Sequence, residues 1–238
     1  MKTAIVSEKI SASCKRTLES EGFAVLPCPA CTLLPAPISH HPDSLMARAG
    51  AHLFSYEGYI QKNAAFFSSL QALCPHLTVH GLAEPYGSSY PEDCRYNLLT
   101  ADKHAFFHPA GLAPSLIRAI GALGYREIRT RQGYAACNVL TLGDRHAITA
   151  DAGLAGLLSE NGVSVLKIEN GGILLPPYDY GFIGGASGVY GSTAYFLGDI
   201  TRHPSYGAMH GFADRAGFSL RSLSSEPLRD LGGIFFLE

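Results

Sequence analysis

Asn97-Leu-Leu-Thr-Ala-Asp-Lys-His-Ala-Phe-Phe107 is answered about 41 residues later by Asn138-Val-Leu-Thr-Leu-Gly-Asp-Arg-His-Ala-Ile148, with one residue inserted before the Asp. Each copy reads as an apolar strand, a tight polar turn and a second strand. A repeat on this scale means one supersecondary unit used several times. The fold follows from finding the other copies.

Outward from the repeat, five segments read as a helix, a stop and a strand. The first helix spans about Lys9–Ser20, with Gly22 as its stop and Phe23–Leu26 as the strand. The second is Asn63–Leu73, ended by Pro75 and followed by Leu77–Val79. The third has Pro114 in its first turn and Gly124 at its end, before Tyr125–Arg129. Asp151 caps the fourth, which ends at Asn161-Gly162 and leads into Val163–Ile168. The fifth spans Ser205–Ala216, stops at Gly217 and leads into Phe218–Leu223. Proline early and glycine late is the asymmetry of helix ends. Leu112, Leu116, Ile120 and Leu123 make one apolar stripe at helical spacing, and Leu154, Leu157 and Leu158 another; both read as core packing.

Strand pairs fall between the helices: Asp43–Arg48 with His52–Ser55, Asn97–Thr100 with Ala105–Phe107, Asn138–Leu142 with His146–Thr149, and Gly181–Gly185 with Thr193–Leu197. The module is strand, strand, helix, strand. Met1–Val6 precedes the first helix, and Gly233–Leu237 has no partner; paired together, they complete a fifth module and leave no large open edge at the join. The expected fold is an α/β five-module propeller with pseudo-fivefold symmetry, one domain over residues 1–238.

Composition agrees and excludes several classes. At 238 residues, 47% hydrophobic and 16% charged, the chain can bury a sizeable core. A formal charge of −2 gives no general electrostatic case for nucleic acid or an anionic membrane. No run approaches the ~18 apolar residues of a membrane helix. The N-terminus becomes charged too soon for a signal peptide, so the cytosol is the expected compartment, with its six cysteines reduced. Cys28-Pro-Ala-Cys31 lacks the second ligand pair of a zinc site and the thioredoxin-like surroundings of a redox pair; no metal or cofactor is expected. Gly184-Gly-Ala-Ser-Gly188 lacks the Lys-Ser/Thr ending of a phosphate loop and reads as a bulged strand.

In a ring of modules, the loops entering each first strand point to a common axis. These are residues 39–43, 90–97, 131–138, 176–182 and 228–233, rich in His, Asp, Tyr, Asn and Cys where the strands after them are apolar. Polar groups gathered at a concave centre define the candidate site. For each residue alone, a turn-forming role is the simpler reading. Asp43, Asp93, Asn97, Gln132, Tyr134, Asn138 and Asp230 are the candidate ligand-binding residues. Cys137 as nucleophile, His41 as base and Asp43 as orienter are the candidate catalytic set. Tyr178 and Tyr180, with Asp179 between them, suit the rim of a pocket. Asp199 and His203 read as capping groups before the fifth helix.

His41-Pro-Asp43, Tyr90-Pro-Glu-Asp-Cys-Arg-Tyr-Asn97, Gln132-Gly-Tyr-Ala-Ala-Cys137, Ile148-Thr-Ala-Asp151, Gly181-Phe-Ile-Gly-Gly185 and Gly198-Asp-Ile-Thr-Arg-His203 carry a resemblance across nearly the whole chain. With these phrases the chain resembles the guanidine-modifying enzyme (pentein) superfamily of arginine and agmatine deiminases, amidinotransferases and dimethylarginine hydrolases. More closely, it resembles an uncharacterised bacterial family of that fold. The resemblance implies a carboxylate gripping a guanidinium, a His acting as acid/base and a Cys nucleophile near the C-terminus. This sequence departs at all three: Gln132-Gly-Tyr134 puts an amide where the acid belongs, Gly181-Phe-Ile-Gly184 has neither His nor Asp, and no cysteine follows Cys137.

The leading expectation is therefore a small-molecule-binding protein of that fold, with a polar, guanidino or amino, ligand in an axial pocket. One alternative is a non-enzymatic interaction module like the five-module translation factor that blocks ribosomal subunit joining, an analogy of fold alone. Another is a hydrolase or deiminase with relocated Cys137, His41 and Asp43. The expected partner is a small molecule, without nucleic acid or membrane; the oligomeric state is left open.

Overall fold

The computed structural model describes residues 2–237; Met1 and Glu238, at the ends of the expected terminal strands and domain, lie outside the described residues. The chain opens with β1 (Thr3–Ser7), α1 (Ala12–Ser20) and β2 (Ala24–Cys28). Four comparable stretches follow. The first has a one-turn helix α2 (Pro42–Leu45), β3 (Met46–Ala49), β4 (His52–Tyr56), α3 (Glu57–Lys62), α4 (Ala64–Leu73) and β5 (Thr78–Leu82). The second has β6 (Leu99–Ala101), β7 (His104–Phe107), α5 (Pro114–Ala122) and β8 (Arg126–Arg129). The third has a one-turn α6 (Ala135–Asn138), β9 (Val139–Leu142), β10 (His146–Thr149), α7 (Ala152–Glu160) and β11 (Ser164–Lys167). A short β12 (Ile173–Leu174) precedes the fourth: β13 (Ser187–Tyr190), β14 (Thr193–Phe196), α8 (Tyr206–Arg215) and β15 (Ser219–Ser222). The chain closes with β16 (Leu228–Arg229) and β17 (Phe235–Leu237).

Five three-stranded sheets result among the described residues, all of one topology: an antiparallel pair whose second strand is joined in parallel by the strand after the helix. The fifth is built from both ends, with β17 antiparallel to β1 (Ala4 opposite Phe236, Ile5 opposite Phe235) and β2 parallel to β1. A two-stranded parallel sheet of β12 and β16 lies apart from these.

The insertion in the quoted repeat has a local cause. Pairing of Ala101 with His104 leaves a two-residue hairpin, opened by Asp102 at φ 51°, whereas pairing of Leu142 with His146 leaves three residues, opened by Gly143 at φ 64°. Both lengths are common hairpin loops, and both need a residue that accepts the left-handed region.

The stripes pack inward as expected: Leu112, Leu116, Ile120, Leu154 and Leu158 are all buried. Each such side chain contributes ~1.5–3 kcal/mol of transfer free energy before ordering entropy is set against it. Helices begin at their caps: Ser11 accepts from the Cys14 N–H, Asp151 from the Leu154 N–H, and Asp199 caps the short turn Ile200–Arg202 through the Thr201 N–H.

Several expected strands shift: those over Asn97–Thr100 and Gly233–Leu237 begin two residues later, at Leu99 and Phe235. The strand expected over Asp43–Arg48 begins only at Met46, and the one over Asn138–Leu142 only at Val139, because one-turn helices occupy the residues before them. The pair expected at Gly181–Gly185 lies instead at Ser187–Tyr190 against β14; Phe182–Ala186 form a turn, closed by Ala186 N–H donating to the Phe182 carbonyl. The glycines there serve close approach rather than a bulge: a Cβ on Gly184 would lie 2.3–2.7 Å from the carbonyl oxygens of Ala136, Val139 and Cys137. No helix among the described residues is long and apolar enough to cross a membrane.

Candidate functional site

The one-turn helices before β3 and β9, and a 3-10 turn at Glu92–Cys94 before β6, carry Asp43, Cys137 and Asp93 inward. Hydrogen bonds run from one loop to the next. Asp43 N–H donates to the Gly232 carbonyl, and Asn97 Nδ2 donates to the Asp43 carbonyl (3.1 Å each). Ala136 N–H donates to Asn97 Oδ1 (2.8 Å), Gly185 N–H to the Cys137 carbonyl (2.8 Å), and Gly233 N–H to the Gly185 carbonyl (2.7 Å). The series begins and ends in the last loop, so all five loops are tied in sequence.

Four ionisable side chains are buried where these loops meet: His41 (1% exposed), Asp43 (3%), Cys137 (3%) and Asp230 (2%). Asp230 Oδ2 accepts from Phe182 N–H (2.9 Å) and Oδ1 from Gly232 N–H (3.1 Å). Asp43 accepts the Ser44 hydroxyl at Oδ1, and its Oδ2 has no partner. The N-cap of this helix is His41, which makes no side-chain capping bond, and Asp43 lies within its single turn. Cys137 Sγ accepts from Asn97 Nδ2 at 3.1 Å. Both ring nitrogens of His41 lack a hydrogen-bond partner, and its extended backbone (φ −81°, ψ 117°) is the one Pro42 favours.

Burial decides the charge states. Desolvation, and then the charge of Asp43, push Asp230 up to about 7 against the pull of its two N–H donors. Desolvation pushes Asp43 up to about 6, opposed by the neighbouring Cys137 and Ser44. Burial, then Asp43 and Asp230, hold the Cys137 thiol well above its ordinary range. Burial, then His40 and Lys9, hold His41 well below its own. His41 Nδ1 lies 3.7 Å from Asp230 Oδ1, too long for a hydrogen bond, and burial favours the neutral form of both. This contact is not an ion pair near neutral pH.

Two cavities flank the cluster. One, of ≈ 320 Å³, has His41, Cys137 and Asp230 at its floor, Ile38, Tyr134, Leu175 and Phe182 as walls, and exposed Tyr178, Asp179 and Tyr180 at its mouth. The other, of ≈ 210 Å³, reaches Asp43 and is lined by residues of β3, β6, β9, β13 and β17, one strand from each sheet. The six cysteines are free and buried. Cys28 donates to the His40 carbonyl, and burial, then Glu8, pushes its thiol up.

The expected site residues separate into groups. His41, Tyr134, Cys137 and Asp230 meet at one cavity, with Asp43 behind Cys137; it is Asp230, not Asp43, that sits beside His41. Asp93 is buried, its Oδ1 accepts from the Cys94 thiol, and it does not line that cavity. Asn97 links loops, whereas its repeat equivalent Asn138 only donates to the Tyr134 carbonyl of its own turn. Gln132 accepts from Tyr134 N–H and lines a separate cleft of ≈ 750 Å³ with Asp151. Sequence reasoning missed the walls Ile38 and Leu175, which carry no chemical signal, and His40, whose Nδ1 bonds Ser7 Oγ at 2.7 Å behind the site.

Solved structures share this architecture. The amidinotransferase SxtG from Microseira wollei, of the saxitoxin biosynthetic pathway, superposes with a TM-score of 0.57 at 10% identity, covering 98% of this chain and 93% of that one. DDAH from Pseudomonas aeruginosa, in complex with citrulline, gives 0.53 at 10% identity, covering 94% and 92%. The N-terminal domain of ArgZ gives 0.53 at 10% identity, covering 93% and 90%. The fold is thus the mixed α/β fold of the guanidine-modifying enzymes. Within it, the chain belongs to a family described as a family of unknown function (DUF6873), whose model matches residues 5–235. No curated protein matches it.

Proposed function

We propose that this chain is a small-molecule-binding protein whose ligand is an organic cation, amino or guanidino, held at the buried carboxylate Asp230 beside His41, with Asp43 behind Cys137. The observation that carries the reading is an incomplete cluster: two buried carboxyl groups, one with an unpartnered oxygen, and a histidine with neither nitrogen bonded, next to a cavity. Buried polar groups are ordinarily paired, and a cation with N–H donors would pair these. The five sheets then form one domain, a closed ring about a pseudo-fivefold axis. Its support is the loop-to-loop series of hydrogen bonds, the β1–β17 pairing, and a cavity lined by a strand of each three-stranded sheet. Buried free thiols suit a reducing compartment such as the cytosol.

Binding is favoured over covalent chemistry because Cys137 is held as a thiol, while the thiolate is the attacking species. Gln132-Gly-Tyr134, Gly181-Phe-Ile-Gly184 and the lack of a cysteine after Cys137 support the same reading, since the resemblance implies an acid, a His and a Cys there. The interaction reading expects a filled axis; cavities on both sides of the cluster count against it. A thermal-shift screen with agmatine, arginine, creatine and citrulline tests the proposal. Agmatine, cationic and without a carboxylate, should raise the melting temperature, and citrulline, a zwitterion of zero net charge, should do so much less. An equal response to citrulline, or none to any cation tried, would overturn it.

A further inference from the structure

The cavity beside the cluster is acidic at both ends and apolar between them. Its floor has Asp230, 2% exposed, and its mouth has Asp179 on the exposed Pro176–Tyr180 turn. Ile38, Leu175, Tyr134 and Phe182 form the wall between. No Lys or Arg is among the described residues lining it. Arg129 and Arg131 line the neighbouring cleft, which shares Tyr134 and Phe182 with this one. His41, nine-tenths and more buried with both ring nitrogens unbonded, faces the same floor.

A ligand matching this lining has a donor-bearing cationic end for Asp230 and His41, a short apolar chain for the walls, and a second cation for Asp179. A carboxylate on that chain would meet two acids and no basic partner within the cavity. Resting on the cation-binding reading above, we propose that the ligand is a linear dication without a carboxylate, of the α,ω-diamine class. Tyr178 and Tyr180 flank Asp179 at the mouth, where an aromatic face also favours the outer cation.

Calorimetric titration of the intact protein near pH 8 with 1,5-diaminopentane, pentylamine and lysine separates the possibilities, since these share one chain and differ in its termini. Diaminopentane should bind about two- to fivefold more tightly than pentylamine, the range of an exposed charge pair, and at least about tenfold more tightly than lysine. Asp179→Asn, on an exposed turn, should bring the ratio of diaminopentane to pentylamine affinity close to one. Lysine binding as tightly as diaminopentane would overturn the inference and place part of the ligand in the arginine-lined cleft. A diamine advantage untouched by Asp179→Asn would overturn it as well. If pentylamine binds as tightly as diaminopentane, the dication class falls and the cation site stands; if none of the three binds, both fall.

Discussion

Asp43 is a carboxyl group only 3% exposed to solvent. Beside Pro42 it reads as a turn former, and it lies within the single turn of α2 with one oxygen unbonded. Its cost is pH-dependent. Its pKa rises from 3.8 to about 6 in the fold, so the folded state holds the proton more tightly than the unfolded chain. That stabilisation is complete below the unfolded value near pH 4 and is lost as pH rises through about 6. Asp230, raised to about 7, acts in the same direction over a window reaching about one unit higher. Asn at position 43 mimics the protonated acid at every pH. Asp43→Asn should therefore match the wild type in urea unfolding near pH 3.5, below the unfolded value, and exceed it by about 1–3 kcal/mol at pH 8. The same stability difference at both pH values would show that Asp43 is not held protonated by burial.

At the scale of elements, the helix-then-strand units were legible because their signals are local: Asp151 at a cap, Pro114 in a first turn, leucines at helical spacing. The one-turn helices α2 and α6 were not. Four residues such as Ala135-Ala-Cys-Asn138 cannot display a period, and they persist through their place between strands rather than through propensity. The glycine run was misplaced for a related reason. A glycine required by approaching backbone looks, in sequence, like one required by a bulge. The packing separates two glycines. Gly184→Ala would drive a methyl into three carbonyl oxygens and should cost about 1–3 kcal/mol or more. Gly207→Ala, inside α8 with nothing within 4 Å, should be neutral or stabilise by ~0.5–1 kcal/mol. Equal effects on the urea midpoint would refute this account of the run.

For the whole molecule, the repeat made the topology readable, and the unpartnered strands at its two ends pointed to their pairing; Ala4 opposite Phe236 bears that out. Arg48 adds a tie, its Nη1 donating to the Phe236 carbonyl from the neighbouring sheet. The site was legible as a set of loops but not as a set of contacts. Which carboxylate stands beside His41, and that Asn97 links loops while Asn138 does not, depend on approach distances that no spacing encodes.

The central claim is that buried carboxyl groups, partly protonated when the site is empty, receive a cation. A cation arriving there favours their ionised forms, so binding must release protons and tighten as pH rises. Calorimetric titration of pentylamine near pH 7, repeated in two buffers of different ionisation enthalpy, counts the protons directly. The account predicts net release, of the order of half a proton or more, and an affinity that increases from pH 6 to pH 8. Binding with no proton release and no pH dependence would contradict it.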